Sequence, residues 1–122
     1  MTRIPKFLTP TALARSLASD GPPVVVDVRR VPAFEADPHG LPGALRGEPD
    51  RIEDWSRHLP ANRSVVVYCV HGHEVSQGAA ATLSAAGLDI LVLGGGIAGW
   101  RAAGHAVVPA ATLRPVRGGR AP

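Results

Sequence analysis

Val65-Val66-Val67-Tyr68-Cys69-Val70-His71-Gly72-His73-Glu74-Val75-Ser76 is the stretch whose reading decides the fold. Its first part, Val65 to Cys69, is a continuous β-branched and aromatic run, the pattern of a parallel strand covered on both faces. From His73 to Ala86 the chain is rich in alanine. Val75, Ala79, Leu83 and Ala86 fall at helical spacing there, and Gly87 follows as a helix stop. The stretch therefore reads strand, glycine-containing loop, helix. Val24 to Val28 and Ile90 to Leu93 repeat the buried-strand pattern on either side. Strands alternating with helices imply right-handed crossovers and an α/β fold, a three-layer α/β/α sandwich around a parallel sheet.

Local signals fill in the remainder. Thr9-Pro10 opens a helix, Thr9 as N-cap and Pro10 at the first helical position. Leu8 and Leu13 are spaced as a hydrophobic staple, Leu13 and Leu17 form a buried stripe, and Gly21 is expected to end the helix. Val31 to Gly43 holds three prolines and two glycines and reads as mostly loop with one helical turn near Phe34. Ala44-Leu45-Arg46 reads as a short strand. Glu53 to Leu59 reads as a helix with Ile52, Trp55 and Leu59 on one face. Gly94-Gly95-Gly96 turns the chain into a last short helix carrying Trp100. The domain is expected over residues 1–108, with 109–122 a flexible tail containing Arg114, Arg117 and Arg120.

Bulk properties narrow the function classes. The 122 residues are 45% hydrophobic and 19% charged, ordinary for one globular domain. Met1 to Leu8 lacks the apolar core of an export signal, and no apolar run approaches the roughly 18 residues of a membrane span. A single cysteine excludes an internal disulfide and fits a reducing compartment, so a cytoplasmic location is expected. Net charge is only +3 and aromatics are 4%, none in the arginine tail, which argues against a nucleic-acid partner. A monomer without membrane contact is expected.

Cys69 ends a strand and stands before a helix, where open α/β folds place their chemistry. A buried cysteine in that position can be mere packing. The neighbourhood offers the alternative. Backbone N–H groups at the mouth of a helix lack intrahelical partners, and the helix dipole adds partial positive charge there. A loop of Val70, His71, Gly72, His73, Glu74 and Val75 folded over the cysteine would favour a thiolate and hold an anion bonded to its sulfur, such as a persulfide.

Four segments carry a resemblance. They are Val26-Asp27-Val28-Arg29; His39-Gly40-Leu41-Pro42-Gly43-Ala44; Tyr68-Cys69-Val70-His71-Gly72; and Leu93-Gly94-Gly95-Gly96-Ile97-Ala98-Gly99-Trp100 with Ala103-Gly104. In this order and spacing the chain resembles a single-domain rhodanese, a sulfurtransferase, over nearly its whole length. The resemblance implies a five-stranded parallel sheet and Cys69 as nucleophile, forming a persulfide and passing its sulfur to a thiol or to cyanide. It implies that N–H groups of Val70 to Val75 cradle the sulfur and that Asp27 and Arg29 support the loop. It calls for no cofactor. The loop departs from thiosulfate-using members in having no arginine or lysine, and Glu74 would repel a dianionic donor. A small-molecule or protein persulfide donor and a thiol acceptor are therefore the expected partners, with His71 and His73 cationic only when protonated.

Rival chemistries are weaker. Phosphatases of this fold close their loop with arginine, whereas Val75 and Ser76 stand at the available positions. Cys69, His71 and His73 are metal-ligand types, but no second cluster completes a site, and no metal is expected. Gly94-Gly95-Gly96 lacks nucleotide-loop spacing. A non-catalytic binding or regulatory module is the rival of a different class.

Overall fold

The structure, a computed structural model, describes residues 6–116. Val24–Asp27 (β2), Val65–Tyr68 (β5) and Ile90–Leu93 (β6) lie side by side, each a short run of β-branched or aliphatic residues. β5 is central, with β2 on one side and β6 on the other, both parallel to it. Leu45–Arg46 (β4) extends the sheet beyond β2. Two strands that composition did not reveal complete it: Phe7–Leu8 (β1) beside β6 and Arg114–Pro115 (β8) beside β4. Among the described residues the sheet thus has six parallel strands in the order β1-β6-β5-β2-β4-β8, not five. Both extra strands are two residues long and sit at the edges, where Pro115 withdraws no hydrogen bond from a neighbour.

Alternation along the strands divides the core. Val24, Val26, Val65, Val67 and Val92 face one layer, made by Ile52–Trp55 (α3) and Glu74–Ala85 (α4) through Trp55, Ala79, Ala80 and Leu83. Val25, Val66, Tyr68 and Leu93 face the other, made by Pro10–Leu17 (α1) and Gly96–Ala102 (α5) through Leu13, Ile97 and Trp100. Because both faces are covered, these strands lack an exposed polar side, as a fully buried parallel sheet requires. No helix among the described residues is long and apolar enough to cross a membrane.

Helix ends follow local chemistry. Thr9 Oγ1 accepts from Ala12 N at 3.1 Å, the capping bond expected of it. α1 stops at Leu17, one turn before Gly21. The segment expected as mostly loop holds a helix, Val31–Ala36 (α2), with Pro32 in its first turn. The helix expected over Glu53 to Leu59 is α3 followed by a 3-10 turn at Ser56–His58.

The expected boundary at residue 108 is also corrected. His39–Gly40 (β3) pairs antiparallel with Val108–Pro109 (β7), and Ala110 and Val116 are buried. Val116 packs in the core layer of α3 and α4. Apolar burial at those two positions holds the chain to the domain at least that far, whatever the proline and arginine content suggests. Arg117 and Arg120, the rest of the expected tail, lie outside the described residues.

Candidate functional site

Cys69 is the first residue beyond β5, at the carboxyl edge of the sheet, and its side chain is 7% exposed. The loop from Val70 to His73 then turns into α4. Its conformation is set from behind by α5. Ile97 N donates to Cys69 O and Ala98 N to Val70 O, both at 3.0 Å. Gln77 Nε2 donates to Gly72 O at 3.0 Å, and Gln77 N to His73 O at 3.0 Å. Four loop carbonyls are therefore tied back by donors of α4 and α5. The first N–H groups of α4 have no acceptor within the helix.

Two glycines make that packing possible. At Gly72, with φ +76°, a Cβ would stand 2.9 Å from Gly95 N and Leu93 O. At Gly96, with φ +59°, a Cβ would stand 2.5 Å from Val70 O and closer still to Cys69 O. Backbone passes over backbone here, and only glycine leaves room.

Among the described residues the sulfur has one side-chain partner. Cys69 Sγ lies 3.1 Å from Ser76 Oγ, and Ser76 is fully buried. A serine hydroxyl can accept from a thiol or donate to a thiolate, so this contact serves either form. Ser76 also reaches His73 O at 3.4 Å.

Above the sulfur is a cavity of about 230 Å³, lined by Cys69, Val70, His71, His73, Glu74 and Val75 on one side. Arg29, Arg30 and Ala33, from the junction of β2 and α2, form the other side. The expected loop residues thus converge on one cavity, except Gly72, which packs behind it against Gly95 and Gly96. The His71 and His73 rings lie 6.3 Å apart. Among the described residues no group of three or more His, Cys, Asp or Glu is placed to hold a metal ion.

Asp27 and Arg29 form the floor of a buried polar cluster. Arg29 Nε lies 3.0 Å from both Asp27 oxygens, and its backbone N donates to Oδ1 at 3.0 Å. Its Nη2 donates to His39 O at 2.9 Å, and Nη1 meets Asp37 at 3.4 Å. Tyr68 Oη donates to Asp27 Oδ2 at 2.8 Å and accepts from Leu41 N at 3.1 Å. Burial alone would lower the guanidinium pKa, but the hydrogen bonds and charge of Asp27 outweigh it, and the net shift is upward. Burial, aided by the charge of Asp27, pushes the Tyr68 hydroxyl far up. Burial lowers Arg46, whose Nη1 donates to Asp27 O at 3.0 Å. Asp27 itself does not line the cavity; it reaches the site through Arg29.

The four matched segments therefore make two contacts. Arg29 donates to His39 O and Tyr68, itself bonded to Asp27, accepts from Leu41 N, while the Cys69 loop receives the turn at Gly94 to Ile97. The family model described as a rhodanese-like domain matches residues 9–103. The chain belongs to the rhodanese-like family. It is 36% identical over 93 residues to the thiosulfate sulfurtransferase GlpE of Pseudomonas syringae, covering 75% of this chain and 84% of that protein. To the thiosulfate sulfurtransferase GlpE of Pseudomonas fluorescens it is 37% identical over 93 residues, 75% of this chain and 82% of the other. A rhodanese-related protein of Thermoplasma volcanium superposes with a TM-score of 0.74 at 25% identity, covering 84% of this chain and 97% of that one.

Sequence reasoning missed Ser76, Gln77, Arg30 and Ala33 as parts of the site. Ser76 stands seven residues after Cys69, and a loop followed by one helical turn brings it back under the sulfur. For Arg30 and Ala33 no local signal existed. They reach the cavity only because β2 and β5 are neighbours, with Asp27 paired to Tyr68.

Proposed function

We propose that this protein is a sulfurtransferase that carries sulfur on Cys69 as a persulfide. The thiolate attacks the outer sulfur of a donor persulfide, the donor's S–S bond breaks, and the donor leaves as a thiol after taking up a proton. The Cys69 persulfide then gives its outer sulfur to a thiol or to cyanide, which regenerates the Cys69 thiolate. Transferred sulfur keeps its oxidation state when a persulfide donor hands it to Cys69, so that step needs no redox cofactor.

The observation that carries this reading is the placement of Cys69 Sγ under an open cavity, with the loop carbonyls tied away from it. N–H groups of Val70 to Val75 are proposed to hold the terminal sulfur, as helix N-termini hold anions. Ser76 Oγ, which accepts from the thiol, is proposed to turn from His73 O and donate to the inner sulfur once that sulfur carries no proton. Asp27 and Arg29 act as positioning residues, fixing the cavity wall opposite the loop. Although the relatives are named for thiosulfate, a persulfide fits this chain better as donor. Glu74 lines the cavity, the charge of Arg29 is already answered by Asp27 and Asp37, and Arg30 offers a single cation against the two negative charges of thiosulfate.

Intact-protein mass spectrometry after incubation with donors tests the proposal. The expected result is a gain of one sulfur atom that is absent in Cys69→Ser. No gain from any donor, with folded protein and a free thiol, would overturn it in favour of a binding module.

A further inference from the structure

Arg30 and Glu74 face one cavity from different elements and carry opposite charge. Arg30 immediately precedes α2, and Glu74 is the first residue of α4. Both line the cavity over Cys69. Arg29, the other cation there, is 1% exposed and committed to Asp27, Asp37 and His39 O. Arg30 is different. Its side chain is 57% exposed, and its carboxylate neighbour Asp50 is 3.8 Å away and 83% exposed. A surface pair of that kind exchanges readily for a ligand carboxylate. No ion pair within 4.0 Å engages Glu74 among the described residues. Ala33, Val70 and Val75 supply apolar side chains to the same lining.

We infer, resting on the persulfide reading above, that the preferred donor is a small zwitterionic persulfide of the α-amino-acid type, its carboxylate on Arg30 and its ammonium on Glu74. Size agrees. A cavity of about 230 Å³ has the liquid volume of roughly eight waters. Such a space suits a donor with a short alkyl stem better than a peptide. Charge agrees as well. The ligand brings one charge of each sign to a cavity that offers one of each, whereas thiosulfate brings two negative charges to a site already holding Glu74. The apolar wall accepts the stem and leaves the sulfur pointing at Cys69.

The test compares rates of Cys69 sulfur loading, followed by intact mass, from four donors below saturation. They are the persulfides of cysteine, of cysteamine, which lacks the carboxylate, and of 3-mercaptopropionate, which lacks the ammonium, together with thiosulfate. The wild-type chain is expected to load from cysteine persulfide about tenfold faster than from either truncated donor, the low end for a charge-assisted hydrogen bond. Glu74→Gln should slow only the two amine-bearing donors, and Arg30→Gln only the two carboxylate-bearing persulfides. Circular dichroism verifies that each variant is folded. Comparable loading from all the persulfides, or a variant that changes every donor by one factor, overturns this inference and leaves the persulfide carrier standing. Loading from no donor at all overturns the carrier instead.

Discussion

Gly96→Ala isolates the contact that shapes the Cys69 loop. An alanine there meets two separate penalties. The first is conformational, since φ +59° costs an L side chain about 1–2 kcal/mol. The second is steric. The new Cβ would lie 2.5 Å from Val70 O and 2.6 Å from Val70 C, backbone atoms that cannot rotate away. Relief requires moving the loop off α5, which weakens the bonds from Ile97 N to Cys69 O and from Ala98 N to Val70 O. Each is worth about 1 kcal/mol, so the total is roughly 3–4 kcal/mol. That is a large share of the roughly 5–15 kcal/mol that holds a domain together. Gly104→Ala is the control. Its φ is +86°, but none of the described residues lies within 4 Å of the added Cβ, so only the conformational part applies. Urea unfolding followed by tryptophan fluorescence should therefore separate the two variants by about 2 kcal/mol, the worth of two loop hydrogen bonds. Sulfur loading of Cys69 should fall well over tenfold in Gly96→Ala and stay unchanged in Gly104→Ala. Equal losses of stability in the two, with loading intact in both, would refute the claim that α5 sets the loop.

Arg29→Met leaves the Asp27 carboxylate buried without its counter-charge and should cost about 3–5 kcal/mol in urea unfolding; a loss below about 1 kcal/mol would mean the pair is solvated in solution. Ser76→Ala removes the hydroxyl 3.1 Å from Cys69 Sγ, and loading at pH 7 is expected to drop about tenfold with little change in stability; an unchanged rate would show that the backbone alone holds the sulfur. Tyr68 is the one tyrosine of the chain, so its ionisation can be followed by absorbance without interference. Its native pKa is raised by burial beside Asp27, so the folded state keeps the phenol proton after the unfolded state loses it near pH 10. The native state then binds more protons than the unfolded one, and stability must fall as pH rises above about 10, by at most about 1.4 kcal/mol per unit from this group. Tyrosinate absorbance should appear only as the protein unfolds, and reversible ionisation of folded protein near pH 10 would contradict the burial.

Much of the sheet could be read from the chain because burial on both faces leaves a plain mark. Val24 to Val26, Val65 to Val67 and Ile90 to Leu93 carry no polar alternation, and each became a central strand. Phe7–Leu8 and Arg114–Pro115 were invisible for the opposite reason. A two-residue edge strand buries too little to impose a pattern, and its pairing is dictated by β6 and β4 rather than by its own residues. The α2 segment reads as mostly loop because Pro32 and Pro38 dominate the composition, although proline in a first turn is compatible with helix. The boundary after residue 108 failed because two small apolar residues, Ala110 and Val116, anchor a segment that otherwise reads as tail.

The candidate site was legible in proportion to its locality. Cys69 through Val75 is one continuous loop, and a strand end followed by a helix start was enough to single it out. The opposite wall depends on topology. Val28 N donates to Tyr68 O at 2.9 Å, which places the end of β2 beside the root of the loop and so delivers Arg29 and Arg30 to the cavity. A reading confined to the loop finds no permanent cation near Cys69 and weighs Glu74 unopposed. With the second wall in place, the charge pattern changes from acidic to paired. One arginine is neutralised by Asp27 and Asp37, and the other holds only an exposed pair with Asp50 at 3.8 Å. On the proposed reading, donor choice in this chain is a property of the β2–α2 junction as much as of the cysteine loop, and substitutions at Arg30 should alter specificity while leaving the sulfur's own environment untouched.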